Sequence, residues 1–111
     1  MVSVLGDDGL GGGKLGGRTE IIDLKTNKEV QDLGKYSVDE YSLQHKGELG
    51  VKGILNFVEV KEAQMQVVSG IKYYLKVNVI QNGMSKIFDA VVVVRPWDRS
   101  KELVQFAPYA N

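Results

Sequence analysis

The residues able to do acid-base, nucleophilic or metal chemistry are few in this chain and stand far apart. His45 is the only histidine, and no acid or cysteine stands at a spacing that would make it a metal ligand or half of an acid-base pair. It reads as an ordinary residue at a helix end. The adjacent carboxylates Asp7-Asp8 and Asp39-Glu40 could supply an acid and a base. The first pair lies in a glycine-rich tail, however, and the second on the polar side of a predicted helix. Ser69 has no partnering base, and the chain has no cysteine, which excludes thiolate catalysis, disulfides and cysteine-ligated zinc. The glycines at Gly11–Gly13 and Gly16-Gly17 follow no predicted strand and match neither phosphate-binding pattern. These residues predict a protein that is not an enzyme and uses no metal or other cofactor. The unusual chemistry is apolar. In "QMQVVSG" (residues 64–70), Val67 and Val68 stand where two predicted strands must reverse, and Trp97 directly follows Pro96 in a second chain break.

The elements that must position these residues follow from the hydrophobic period. "TNKE" (residues 26–29) has the form of a capping box, with Thr26 as N-cap and Glu29 three residues on. From there, Val30, Leu33, Tyr36, Ser37, Val38 and Tyr41 share one broad side at 100° per residue. Gln31, Asp32, Lys35, Asp39, Ser42 and Lys46 share the other. The spacing predicts one helix over about 27–46, with Gly47 as its stop and small residues, Gly34 and Ser37, centred on its apolar side. Everything after that reads as strand. "GILNFVEVKEAQ" is apolar on both faces near its start, which suggests a bulge. In "IKYYLKVNVI" the inward set is Tyr73, Leu75, Val77 and Val79, and Asn82-Gly83 then gives a hairpin turn. "KIFDAVVVVR" turns Phe88, Ala90, Val92 and Val94 inward, residues 95–98 break that strand, and "ELVQF" supplies the last. Residues 19–24 could add one more strand before the helix. The pattern predicts an α+β domain: one α-helix packed across an antiparallel sheet of four to five strands. Successive turns of a meander alternate between its ends, so the turns at 66–70 and 95–98 are predicted to be neighbours.

The 111 residues suffice for one domain, and composition places it among ordinary globular proteins, with 43% apolar and 25% charged residues. Residues 1–17 hold more than half of the thirteen glycines and few large side chains. They read as a flexible segment ahead of a single domain over 18–111. Fourteen basic and fourteen acidic residues cancel, which argues against a nucleic-acid partner. No apolar run reaches the ~20 residues that span a bilayer, so no membrane role is predicted. The first residues have neither a basic n-region nor an apolar h-region, so the start does not read as a signal peptide. Localisation stays open between the cytoplasm and secretion with a signal already removed.

Four motifs in order resemble those of the plant cystatins (phytocystatins). Gln66-Val67-Val68-Ser69-Gly70 matches the family's Q-x-V-x-G loop, and Pro96-Trp97 matches its second-loop P-W pair. Leu15-Gly16-Gly17 matches the N-terminal glycine element, with Gly11–Gly13 as the other glycine run upstream. Residues 33–41, "LGKYSVDEY", look like the plant-type helix signature, departing only at Ser42, where the family has Asn. The resemblance spans residues 15 to about 107. It implies a curved sheet wrapped on the helix, and reversible, tight, competitive inhibition of papain-like cysteine proteases by a wedge of the N-terminal segment and two loops. On that footing the protease-binding residues are Leu15, Gly16, Gly17, Gln66, Val67, Val68, Ser69, Gly70, Pro96 and Trp97, and the valines are exposed because another protein buries them. The resemblance also implies an active monomer and a domain-swapped homodimer formed by extension of the 66–70 loop, for which β-branched residues in a tight reversal would supply the strain. Two other classes compete with this reading. One is a small α+β isomerase or dehydratase, against which the inward set, without carboxylate or histidine, argues. The other is a cystatin-fold binding or carrier protein with no protease target, which intact loop motifs disfavour.

Overall fold

A computed structural model describes residues 17–45 and 54–109. A short strand β1 (Arg18–Glu20) leads through a 3-10 turn (Leu24–Thr26) into α1 (Lys28–Gln44). Four long strands follow: β2 (Leu55–Val68), β3 (Gly70–Gln81), β4 (Met84–Arg95) and β5 (Ser100–Pro108). They form one antiparallel sheet in the order β1-β2-β3-β4-β5. The α+β expectation holds, and β1 makes the sheet five-stranded. β1 is shorter than the stretch 19–24, because Asp23 turns into the left-handed region at φ 57 and starts the 3-10 turn. One further bond, from Ile21 N–H to the Ala63 carbonyl at 2.9 Å, prolongs its pairing.

The core holds most of the predicted inward set, but Val94 is only partly buried, while Val91, from the other face of β4, is 8% exposed. Tyr73, Leu75, Val77 and Val79 of β3 and Phe88, Ala90 and Val92 of β4 are all buried against Val30, Leu33 and Val38 of α1. Each buried valine, leucine and phenylalanine among them contributes about 1.5–3 kcal/mol when removed from water. The helix comes close to the sheet because Gly34 has no side chain. A Cβ there would overlap the Val60 Cγ2 methyl and lie 2.9 Å from Phe57 Cε1. Ser37 is fully buried beside it and satisfies its hydroxyl by donating to the Gly34 carbonyl at 2.7 Å. β2 carries two register shifts, between Phe57 and Glu59 and between Val60 and Glu62, which is the irregularity its two-sided apolar start suggests.

The helix termini differ from the sequence reading. Asn27, not Thr26, is the N-cap: its Oδ1 accepts from the Val30 N–H at 3.1 Å, while Thr26 closes the 3-10 turn and donates its hydroxyl to the Asp23 carbonyl. The 3-10 turn uses up the residue that the capping-box pattern assigns to the cap, so the first helical residue shifts by one. α1 ends at Gln44 with His45 as C-cap, and Gly47 lies outside the described residues. His45 packs tilted on Tyr41 at 4.2 Å, Tyr41 packs tilted on Phe106 at 4.6 Å and Phe106 stacks on Phe88 at 4.9 Å, so a row of rings ties the helix end to β4 and β5. Gln31, on the polar side by period, is half-buried instead. β1 is too short to cover the β2 edge at Val60, and the Gln31 amide takes the place of a strand there. Its Oε1 accepts from Val60 N–H at 2.9 Å and its Nε2 donates to the Leu24 carbonyl at 2.9 Å.

The corrected cap is open to test by denaturant unfolding. Asn27→Ala should cost about 1 kcal/mol, the usual worth of a side-chain N-cap. Thr26→Ala should stay within about 0.5 kcal/mol, as an exposed substitution outside the cap. The reverse order of the two losses would restore Thr26 as the cap.

Candidate functional site

The β2–β3 reversal is narrower than a five-residue loop. Pairing runs to Val68↔Gly70 and leaves Ser69 alone between the strands. Val67 and Val68 are therefore the last residues of β2, in the extended conformation that β-branched side chains favour. The backbone conflict that the sequence suggests at the valines is absent. The reversal falls on Gly70, at φ 112, where side-chain-bearing residues are strained. A Cβ on Gly70 would lie 2.7 Å from the Val94 carbonyl oxygen and 3.6 Å from Trp97 Cη2. The missing side chain thus admits the Val94 carbonyl at the end of β4 against the first turn, with the Trp97 ring at van der Waals distance beside it.

The second turn is built by its own hydrogen bonds. Asp98 N–H donates to the Arg95 carbonyl at 3.3 Å, and the Asp98 carboxylate accepts from Ser100 N–H at 3.0 Å. Hydrogen bonds from the Ser100 hydroxyl and N–H, with Arg95 adding its charge, hold the Asp98 carboxyl below the usual carboxylate range. Its support of the turn is therefore present above the ordinary carboxylate pKa and is lost as pH falls through the lowered value. Arg99 completes the reversal in the left-handed region at φ 59, and Arg95 pairs with Glu102 across the strands at 3.0 Å. This leaves Pro96 and Trp97 on the outside of the turn.

The two turns lie at one end of the sheet and expose a shared apolar edge: Val67 is 51%, Val68 44% and Trp97 65% exposed. A shared apolar edge of this kind is what makes this end the candidate site. Gln66 is half-buried, one row behind the valines, where its Oε1 accepts from the Tyr74 hydroxyl at 2.7 Å. Arg18 pairs in register with Gln66, so the chain enters β1 at this same end, with Gly17 exposed beside it. Leu15 and Gly16 lie outside the described residues. The structure thus brings Gln66, Val67, Val68, Ser69, Gly70, Pro96, Trp97 and Gly17 to one end. Sequence reasoning missed Tyr74, which fixes Gln66 and carries the Arg18 guanidinium on its ring at 3.6 Å. The available signal was parity, since Tyr74 falls on the same outward face as Gln66.

Residues 21–109 match a family model described as "Aspartic acid proteinase inhibitor". "Cysteine proteinase inhibitor 2" of Arabidopsis thaliana is 41% identical over 109 residues, covering 87% of this chain and 74% of that protein. "Cysteine proteinase inhibitor 10" of Oryza sativa subsp. indica is 48% identical over 111 residues, with the same coverage of each. Among solved structures, a salivary cystatin from the soft tick Ornithodoros moubata superposes with a TM-score of 0.68 at 18% identity, over 87% of this chain and all of that one. That last likeness speaks for the fold. The chain belongs to the plant cystatin family.

Gly70→Ala should destabilise the protein by about 2 kcal/mol, because the substitution adds backbone strain and a clash with the Val94 carbonyl together. Thermal or denaturant unfolding measures it. An unchanged stability would mean that the turn does not need the left-handed glycine.

Proposed function

We propose that this chain is a reversible, tight-binding, competitive inhibitor of papain-like cysteine proteinases. The observation that carries the reading is the pair of turns at one end of the sheet, with exposed Val67, Val68 and Trp97 and the tryptophan ring against Gly70. A rigid, narrow apolar edge of this shape suits a cleft with apolar walls. It offers that cleft tightly paired backbone rather than an extended scissile segment, so no bond is presented for cleavage. The plant relatives are named as cysteine proteinase inhibitors, which supports the same target class.

In this reading Trp97 is the rigid aromatic anchor, with Pro96 fixing its approach. Val67 and Val68 fill the centre, Gln66 and Ser69 contribute polar contacts, and Gly70 lets the two turns close on each other. Residues 1–17 act as the third part of the wedge, ahead of the 18–111 domain. Leu15 enters an apolar substrate pocket there, and Gly16 and Gly17 give clearance. The active form is the monomer. A domain-swapped homodimer, formed if the chain straightens through Ser69, would join β2 and β3 into one strand and abolish the first turn.

The family model's wording favours a second reading, in which the target is an aspartic proteinase. The Q-V-V-S-G and P-W elements and the relatives' names weigh towards the cysteine class. A carrier without any proteinase target is the remaining outcome.

One titration series separates these. The purified chain should inhibit papain stoichiometrically and leave pepsin active; the converse would establish the aspartic reading, and inhibition of neither would leave a carrier. Trp97→Ala should weaken papain binding by about 2–4 kcal/mol, as for a central aromatic anchor. Its stability should move by less than about 0.5 kcal/mol, because the ring is exposed. Removal of residues 1–17 should speed dissociation far more than removal of 1–14, which spares Leu15 and its glycines. Size-exclusion fractions should place the activity in the monomer, and a dimer as potent per chain would refute the swapped arrangement.

A further inference from the structure

The chain is neutral overall, yet its charges are unevenly placed. The three strand-pairing rows nearest the two turns, together with the turns themselves, hold the cations Arg18, Lys72, Arg95, Arg99 and Lys101. They hold only two carboxylates, Asp98 and Glu102. Both carboxylates are engaged, Glu102 with Arg95 at 3.0 Å and Asp98 with the Ser100 N–H at 3.0 Å. None of the ion pairs among the described residues involves Arg18, Lys72, Arg99 or Lys101. The whole chain has fourteen residues of each sign, so its net charge does not reveal this local excess of cations at the turns.

Three of these cations are also held in place. The Arg18 guanidinium lies 3.6 Å from the Tyr74 ring centroid, and Lys72 Nζ lies 5.4 Å from the same ring. Lys101 Nζ lies 5.2 Å from the Tyr36 ring. Arg99 is exposed on the second turn, at a left-handed φ that glycine or asparagine would occupy at lower cost. The local backbone therefore gives no reason for an arginine there.

We infer that Arg18, Lys72, Arg99 and Lys101 form a basic collar around the apolar turns that selects proteinases whose cleft rim carries carboxylates. The inference rests on the inhibitor reading and deepens it, by naming the charge of the partner. A collar of this kind acts at a distance, before the turns are buried, and so speeds association more than it slows release. Phosphate would also pair with such cations, but it would leave Val67, Val68 and Trp97 unburied at the centre of the contact. A protein with an apolar cleft and an acidic rim satisfies both features.

The test is the association rate of the full chain with two papain-like proteinases, one acidic and one basic around the cleft. It is measured between about 0.01 M and 1 M salt, where the Debye length falls from ~30 Å to ~3 Å. With the acidic enzyme the rate should fall about tenfold or more across that range. A Lys72→Gln/Arg99→Gln/Lys101→Gln variant should associate slowly at every salt concentration, with a release rate within about twofold of the parent. Lys72→Glu/Arg99→Glu should reverse the preference between the two enzymes, a gain that a merely destabilised protein could not show. Equal rates and equal salt dependence for parent and neutralised variant would overturn the collar while leaving inhibition intact. Failure to inhibit either enzyme would overturn the inhibitor reading and the collar's assignment with it. Tighter salt-sensitive binding to single-stranded RNA than to either proteinase would assign the collar to phosphates and also overturn the proposal.

Discussion

Antiparallel pairing reverses the chain at every turn, so alternate turns of a meander must emerge at the same end of the sheet. In this protein the constraint puts the Ser69 reversal and the Pro96–Arg99 turn side by side. The entry to β1, paired through Arg18 with Gln66, lies at that end too. The opposite end receives the Asn82-Gly83 turn, with positive φ at both residues. No local feature of the valines or of Trp97 would make a surface without this arrangement. The ladder converts three separated stretches of sequence into one edge.

Contact then narrows what topology brings near. Gly70 contributes nothing beyond its backbone, and that absence lets the Val94 carbonyl at the end of β4 close on the first turn. Behind the turns the rows are tied by polar and aromatic contacts: Tyr74 to Gln66, Arg18 over Tyr74, and Arg95 to Glu102. Stability is generated elsewhere, in the buried faces of β3, β4 and α1, where Gly34 and Ser37 admit the helix. The separation matters for function. Apolar side chains can stay exposed at one end because a core at the centre does not need them.

Much of this was legible in the sequence. The alternation of 73–79 pointed to the inward face of β3, because an alternating strand has only one way to bury its apolar set. In β4 the run Val91–Val94 does not alternate, and Val91 is buried on the other face. The helix was readable from its period, and the site's two turns from their motifs and from parity. What was not legible depended on pairing between distant residues. Asn27 displaced Thr26 as the cap because a 3-10 turn precedes it. Gln31 left the polar side because β2 had an uncovered edge at Val60. The first turn looked like a loop of five residues, since periodicity cannot show that the ladder closes to Val68↔Gly70. The collar was hidden by a net charge of zero, which sums over positions that the fold separates.

The central claim is that this end of the sheet is the surface that another protein buries, and Trp97 reports on it directly as the chain's only tryptophan. Replacing it biosynthetically by 5-fluorotryptophan gives a single fluorine resonance, whose D2O-induced shift measures solvent access to the ring. In the free protein that shift should be large, matching a side chain that is 65% exposed. On formation of the complex with papain it should collapse as the ring is buried. A complex that forms while the resonance and its solvent shift stay unchanged would contradict the account.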